Sequence, residues 1–354
     1  MNDYRFDSNL ARAATIPSRY YVDPAVLQSE HRSLFARTWQ LAGRAEQVRG
    51  AGAFFTTSVA GEPLLIVRGA DDELRALSNV CRHRAGPVAK GEGKRPVLQC
   101  GYHGWTYGLD GRLLKTPEMH GIECFDQRSM ALPEFRVELW NELVFVNLDR
   151  DAPPLGEFLG DLGEKLDRRN YAGYRLAARK EWLLDCNWKV YVDNYLEGYH
   201  IPIVHPGLFR EIDYLAYRTE TRRNYSIQHA PLKRPDKIRV TSPGDEAEYF
   251  WVYPNLMLNV YPDNFSTNLI VPVGHERTLT LFEWYFRDPD DPAVKDTVAF
   301  SDEIQLEDIA ICEAVQRGLR SSTYTSGRYS PVRENGVHHF HEMYAESMGI
   351  ERVV

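Results

Sequence analysis

The apolar positions change period several times along the chain. From Asp23-Pro24 onward, Leu27, His31, Leu34, Phe35 and Trp39 recur at helical spacings. The Asp-Pro pair reads as a cap with proline in the first turn. Between Trp39 and Leu148 the texture shifts to short runs, at residues 54–59, 63–68, 73–78, 97–99 and 143–148, separated by Gly, Asp-Asp or Asp-Gly signals. That pattern predicts a compact β domain. Asp151-Ala-Pro-Pro-Leu-Gly is the candidate linker, and residues 159–166 read as a short helix. Strand texture returns over residues 222–287, including 249–253, 256–261 and 279–286. With no helix between these runs, an antiparallel sheet is favoured over a βαβ pattern. Residues 301–320 predict a long helix capped by Ser301 or Asp302. The expected organisation is an N-terminal arm and helix over 1–40 packing on the C-terminal part, a β domain over 41–150, and an α+β domain over 151–354. The chain shows no internal repeat and no low-complexity segment.

Composition narrows the class. With 354 residues the chain exceeds the size at which one core usually keeps growing, so two domains are expected. Apolar content of 43% with 12% aromatics suffices for sizeable cores. A formal charge of −8 argues against nucleic acid or an anionic membrane as partner. The cysteines at 81, 100, 124, 186 and 312 are odd in number and scattered, which is no disulfide framework and suits a reducing compartment. The N-terminus lacks the pattern of a signal peptide, and no apolar run approaches the ~18 residues of a membrane span. The expectation is a soluble, cytoplasmic protein.

The stretch Asp193-Asn-Tyr-Leu-Glu197-Gly-Tyr-His200-Ile-Pro-Ile-Val-His205-Pro206 carries the densest chemistry. On a helix turning about 100° per residue, Asp193, Glu197 and His200 share a face. Pro202 disfavours a continuous helix, so the chain is expected to leave it there and fold His205 back beside His200. Two imidazoles with Asp193 and Glu197 as nearby carboxylates are suitable material for a mononuclear metal site, or simply two partly buried histidines at a helix end.

A second signal lies in the β domain. Cys81-Arg-His83 is followed, after sixteen intervening residues, by Cys100-Gly-Tyr-His103-Gly-Trp. Each finger mixes one cysteine with one histidine, enough together for four-coordinate zinc or for a [2Fe–2S] cluster with one His-ligated iron. Zinc knuckles more often open with a Cys-Cys finger, so the mixed fingers on a strand-rich domain match the Rieske arrangement better. In the long helix, Asp308 shares a face with Ile304, Ile311, Cys312 and Val315. A carboxylate on an apolar face is costly unless paired or metal-bound. With His200 and His205 it would complete the two-histidine, one-carboxylate triad of non-haem iron(II). Glu307, about 100° round the helix, is expected to be solvated.

On these motifs and in this order, the chain resembles the catalytic α subunit of Rieske-type non-haem iron oxygenases over nearly its full length. The resemblance implies a β-sandwich Rieske domain and an α+β catalytic domain of antiparallel sheet plus helix, the helix-grip (Bet v 1-like or START-like) arrangement. It implies Cys81, His83, Cys100 and His103 on the cluster, and His200, His205 and Asp308 on Fe(II). It further implies a head-to-tail homotrimer in which an acidic residue, here Glu197, bridges one subunit's iron histidine to a neighbour's cluster histidine. Many ring-hydroxylating members have aspartate there. Glutamate, together with residues 251–261 and 307–319, looks more like the branch acting on quaternary ammonium compounds, the choline, carnitine and betaine oxygenases.

The activity so implied is that of a terminal oxygenase using O2 and electrons from NAD(P)H, delivered by a separate flavin/iron-sulfur reductase either directly or through a ferredoxin. On an N-methyl group, monooxygenation gives a hemiaminal that loses formaldehyde; an aromatic small-molecule substrate gives a ring diol or phenol. Phe250, Trp251, Tyr253, Tyr261, Trp284 and Tyr285 are candidates for a cage around a methylated ammonium, although alternating aromatics on strands also fill cores. His338, His339 and His341 define no single face and suggest packing. Gly50-Ala-Gly52 and Gly91-Glu-Gly93 lack the dinucleotide fingerprint, in keeping with a separate reductase. The rival classes are a zinc hydrolase with a structural zinc site and a Rieske electron carrier without oxygenase activity.

Overall fold

The computed structural model describes residues 4–169, 171, 173–233 and 246–353. The chain divides into two compact units, His31–Phe158 and the residues on either side of it. These divisions lie some ten residues from the expected ones at 40/41 and 150/151. The first falls inside the N-terminal helical segment, where Pro24–Glu30 runs on into a π-helical turn, His31–Phe35. Its start follows the expectation, since Asp23 Oδ1 accepts from Ala25 N at 2.9 Å.

The His31–Phe158 unit is all β apart from short turns. Its main sheet orders the strands Gln40–Arg44, Leu143–Asn147, Glu134–Trp140, Leu74–Ser78, Glu62–Arg68, Ala53–Val59 and Glu92–Lys94. A smaller sheet joins Leu98–Gln99, Thr106–Tyr107 and Leu113–Lys115. Alternation splits the apolar residues between two cores. Leu64, Ile66, Ala76, Val144 and Val146 form one, while Leu65, Val67 and Leu77 face the small sheet with Leu98, Trp105 and Tyr107. Cys81 and Cys100 belong to the second core, so the cysteine loops are anchored in buried apolar surface.

The other unit is built on a seven-stranded antiparallel sheet with helices packed against it. Its strands run Arg175–Leu184, Arg277–Phe286, Asn264–Gly274, Leu256–Val260, Glu246–Val252, Tyr225–Pro231 and Arg218–Thr221. The last six are a hairpin meander, the antiparallel arrangement expected from residues 222–287, a stretch that also includes 234–245 outside the described residues. Arg175–Leu184 adds at the far edge and was not foreseen. It is rich in charge and only Leu184 is buried, so it offers little apolar alternation to detect.

The long helix spans Ala293–Leu319, starting eight residues before the expected position. Neither Ser301 nor Asp302 caps it; Asp302 instead pairs with Lys180. The helix opens on Asp291-Pro292, with Asp291 Oδ1 accepting from Ala293 N at 2.8 Å. Its buried stripe includes Gln305, Cys312, Gln316 and Leu319, whereas Val315 is exposed. Both buried glutamines are satisfied, Gln305 by Tyr191 and Thr280 and Gln316 by Asn187 and Glu276.

Helix Trp188–Tyr195 packs against this long helix. Asn187 caps it, its Oδ1 accepting from Lys189 N at 3.0 Å. Lys189 and Glu30 are both fully buried and meet at 2.5 Å. Glu30 also accepts from Trp188 Nε1 at 2.8 Å and Tyr344 OH at 2.6 Å, tying the N-terminal helix to helix Asn335–Ser347. Among the described residues no helix is long and apolar enough to cross a membrane.

Candidate active site

In the β unit, Cys81 and Cys100 are buried free thiols. Their loops are shaped by backbone bonds, Cys81 N to Gly86 O at 2.8 Å and Cys100 N to Trp105 O at 2.9 Å. A Cβ at Gly86 would lie 3.2 Å from Cys100 Sγ, so the glycine leaves room for the sulfur. The two histidine rings stand 4.6 Å apart, with His83 stacked on Trp105 at 4.9 Å and His103 exposed. Tyr107 OH lies 3.3 Å from Cys81 Sγ and accepts from Arg82 N at 2.9 Å.

Two observations test whether this donor set fits a metal cluster. The Nδ1 of His83 is buried with no hydrogen-bond partner, a cost a native structure rarely bears without a ligand. Burial, followed by the neighbouring Cys81, pushes the Cys100 thiol upward. A thiolate there therefore needs a cation to hold it. Two sulfurs and two imidazoles that converge in this way fit a [2Fe–2S] cluster.

In the other unit the central stretch departs from the expected continuous helix. The helix stops at Tyr195, and the break spans Leu196–His200 rather than beginning at Pro202. Pro202 instead sits in the first turn of a new helix, Ile201–Val204, where its missing N–H costs nothing. Glu197 makes the turn: its Oε2 accepts from the backbone N–H groups of Tyr199 and His200, which competes with helix continuation. Gly198 is required because a Cβ would approach the Tyr217 ring to 2.7 Å. His205 then stands at the N-cap position of helix Pro206–Glu211, and the chain folds it back beside His200.

The outcome is a tight convergence. His205 Nε2 is 3.1 Å from His200 Nε2 and 3.0 Å from Asp308 Oδ1, and His200 Nε2 is 3.9 Å from the same oxygen. Ligands about 2.1 Å from a metal in cis octahedral positions stand roughly 3 Å apart, so the spacing fits one six-coordinate ion with open positions. Each histidine also gives its Nδ1 to a carboxylate, His200 to Glu197 at 2.5 Å and His205 to Glu307 at 2.7 Å. Both Nε2 lone pairs and a carboxylate oxygen therefore face one point, which is unfavourable unless a cation occupies it. Burial works against charge on His205, yet Asp308 and Glu307 draw its pKa upward. A metal ion would take the place of that proton.

Two site expectations need correction. Glu307 is not a solvated neighbour, because His205 sits deep enough for both ring nitrogens to meet successive residues of the long helix. Asp193 does not join the cluster. Its carboxylate accepts from Tyr21 OH at 2.6 Å and lies 2.9 Å from His341 Nε2, and it does not line the cavity. Once the helix ends at Tyr195, the face shared with Glu197 and His200 no longer exists. The adjacent Asn194 reaches the site instead, donating Nδ2 to Asp308 Oδ1 at 2.6 Å. His338 and His341 are packed, against Asp7 O at 2.8 Å and Tyr329 OH at 2.6 Å.

A cavity opens on His200, His205 and Asp308. Its floor is one face of the sheet, where Gln228, Tyr249, Asn259, Ser266 and Trp284 pair in register across five strands. Of the six aromatic candidates, Tyr261 and Trp284 line it. Phe250 and Tyr285 point to the opposite face, Tyr285 stacking on Phe265 at 4.6 Å. Trp251 is covered by Phe340, 5.4 Å away, and Tyr253 bonds Ser347 at 2.6 Å. Tyr195, Tyr217, Tyr249 and Phe282 join Tyr261 and Trp284 in the aromatic wall, with Tyr191 and Phe300 also in the lining. Strand phase was the signal for Tyr249 and Phe282; Tyr195 and Tyr217 lie outside strands and had none.

A mixed cysteine–histidine site on a β unit and a two-histidine, one-carboxylate site under an antiparallel sheet define a two-centre iron oxidoreductase. Residues 38–126 match the Rieske [2Fe-2S] domain, and residues 171–350 match the ring hydroxylating alpha subunit (catalytic domain). The chain belongs to the Rieske oxygenase family, as a catalytic α subunit, and its cofactors are a [2Fe–2S] cluster and a mononuclear iron. It is 36% identical over 352 residues to choline monooxygenase, chloroplastic, of Arabidopsis thaliana, covering 94% of this chain and 82% of that protein. To the carnitine monooxygenase oxygenase subunit of Escherichia coli (strain K12) it is 32% identical over 357 residues, covering 96% of each. A solved quaternary ammonium Rieske monooxygenase, described in connection with carnitine oxidation and inter-subunit electron transfer, superposes with a TM-score of 0.90 at 31% identity, covering 97% of this chain and 98% of that one.

Proposed function

We propose that the protein is the terminal oxygenase of a multicomponent system that hydroxylates a small quaternary ammonium compound, with N-demethylation as the outcome when the carbon attacked is an N-methyl group. The observation that carries this reading is the wall of Tyr195, Tyr217, Tyr249, Tyr261, Phe282 and Trp284 around a cavity that reaches the histidine–aspartate cluster. Ring faces attract a methylated ammonium by ~0.5–2 kcal/mol each, and that ion has no N–H for conventional hydrogen bonds. Glu197 and Asp308 also line the cavity and add negative potential.

In this reading Cys81, Cys100, His83 and His103 hold the cluster, and His200, His205 and Asp308 hold the iron. Bound there, the cluster would supply one-electron chemistry and the iron would supply oxygen activation. The remaining work belongs to the chain. Glu197 accepts a hydrogen bond from the Nδ1–H of His200 and so keeps Nε2 free for the metal. Asn194 orients Asp308. The amides of Gln228 and Asn259 are locked by Tyr195 and Tyr217 and hold the rings in place. Oxygen insertion into an N-methyl C–H bond leaves a hemiaminal, whose C–N bond breaks to release formaldehyde, the tertiary amine and a proton.

A homotrimer that places Glu197 against a neighbour's cluster histidine, with a separate NAD(P)H-dependent reductase, belongs to the same reading, supported by the exposure of His103 and by family membership. The unpaired cysteines suit the cytoplasm. Oxygen uptake and formaldehyde release, measured with reductase against choline, carnitine, betaine and neutral aromatic compounds, test the proposal. Coupled turnover with a quaternary ammonium is expected; coupled turnover with aromatics alone would overturn it.

A further inference from the structure

We infer that Glu307 is a positioning residue that fixes the tautomer and orientation of His205. This inference rests on the reading that His200, His205 and Asp308 hold the iron.

Residues 307 and 308 are consecutive on helix Ala293–Leu319, so their side chains leave it about 100° apart. The His205 ring spans that angle: Nδ1 lies 2.7 Å from Glu307 Oε2, and Nε2 lies 3.0 Å from Asp308 Oδ1. An ionised carboxylate only accepts, so the contact with Glu307 requires the proton on Nδ1. A neutral imidazole has one N–H, and placing it there leaves the Nε2 lone pair directed at the shared point. The other tautomer would aim a proton at the metal position. His205 is 2% exposed and its backbone is held at both ends, by His205 N to Ile201 O at 3.0 Å and Phe209 N to His205 O at 2.9 Å. What remains to be fixed is ring rotation and proton position, and Glu307 controls both.

Glu307 differs from Glu197 in two respects. It does not line the cavity, so it has no contact with substrate, and it makes no turn-forming backbone bonds in the central stretch. The hydrogen bond it makes is to His205, so its loss acts through that ring.

The test uses the reconstituted holoenzyme with Glu307→Ala, Glu307→Gln and, as a control, Asp308→Ala. First-order release of the mononuclear iron to a ferrous chelator is followed, with the cluster absorbance as an internal standard and steady-state KM as a second readout. Glu307→Ala is expected to release iron ~10–100-fold faster, the usual cost of losing such a partner. Glu307→Gln, whose amide oxygen still accepts from Nδ1, should fall between Ala and wild type. KM should stay within about twofold, since the aromatic cage is untouched. Wild-type release from both Glu307 variants, with Asp308→Ala depleted of iron, would overturn the role of Glu307. Normal iron retention by Asp308→Ala would instead sink the assignment of the triad. If Glu307→Ala fails to fold, Glu307→Gln decides alone: an intermediate rate supports the inference and a wild-type rate ends it.

Discussion

Asn194 Nδ2 and His205 Nε2 converge on a single oxygen of Asp308, at 2.6 Å and 3.0 Å. The amide donates to that oxygen, so the carboxylate is held from one side while its remaining lone pairs point at the cluster of ligands. Asp308→Ala should abolish turnover and deplete the mononuclear iron, with the cluster spectrum unchanged because the cysteine fingers lie in the other unit. Asn194→Ala should retain some iron and lose ~10-fold in affinity, the low end for an orienting partner. Iron analysis before and after chelation checks both, and a fully loaded Asp308→Ala protein would refute the assignment.

Metal content is the broadest test. About three irons per chain are expected, two with acid-labile sulfide and the visible spectrum of a cluster with two histidine ligands, and one removable by chelation. His83→Cys should keep a cluster but lower its reduction potential, since histidine ligation is what raises it. Stoichiometric zinc without sulfide would end the Rieske reading.

Glu197 joins two tasks in one carboxylate, and substitutions should separate them. Glu197→Gln keeps an acceptor for the turn and for His200 but removes the charge. We expect it to hold both metal centres, and its pre-reduced cluster to be reoxidised by oxygen and substrate far more slowly than in wild type. Glu197→Ala should in addition loosen the Leu196–His200 turn and lower iron content. Wild-type reoxidation in single-turnover measurements on both variants would show that electrons take another route.

Lys189 and Glu30 make a buried ion pair that also anchors Trp188 and Tyr344. Removing one partner leaves an uncompensated charge, at a cost of about 3–5 kcal/mol. Lys189→Met should therefore lower the midpoint of thermal denaturation clearly, and Lys189→Met with Glu30→Gln should recover part of the loss. Equal midpoints for Lys189→Met and wild type would mean that the pair contributes nothing.

The chemistry proved more legible in the residues than the geometry that carries it. The cysteine–histidine fingers and the pairing of His200 and His205 with Asp308 announce themselves by residue type and spacing. The Asp-Pro signal that marks the first helix recurs at Asp291-Pro292, where it begins the long helix ahead of Ser301. Asp193 and Glu307 both depart from their expected surroundings for one reason: periodicity assumes a continuous helix and says nothing of depth. The central helix stops at Tyr195 because Glu197 offers its carboxylate to the backbone, a local competition invisible to a face count. The aromatic wall could be placed on the sheet, but only pairing register says which phase of each strand faces the helices.

That register has a consequence for how such a site changes over time. The row Gln228, Tyr249, Asn259, Ser266 and Trp284 draws one residue from each of five neighbouring strands. Substituting one member resurfaces a single tile of the substrate floor and leaves every backbone hydrogen bond intact. Inserting one residue in any of these strands would turn its inward residues outward and pull that tile away altogether. Divergence in substrate preference on this scaffold should therefore proceed by exchange at fixed positions, while insertions and deletions collect in the hairpin loops.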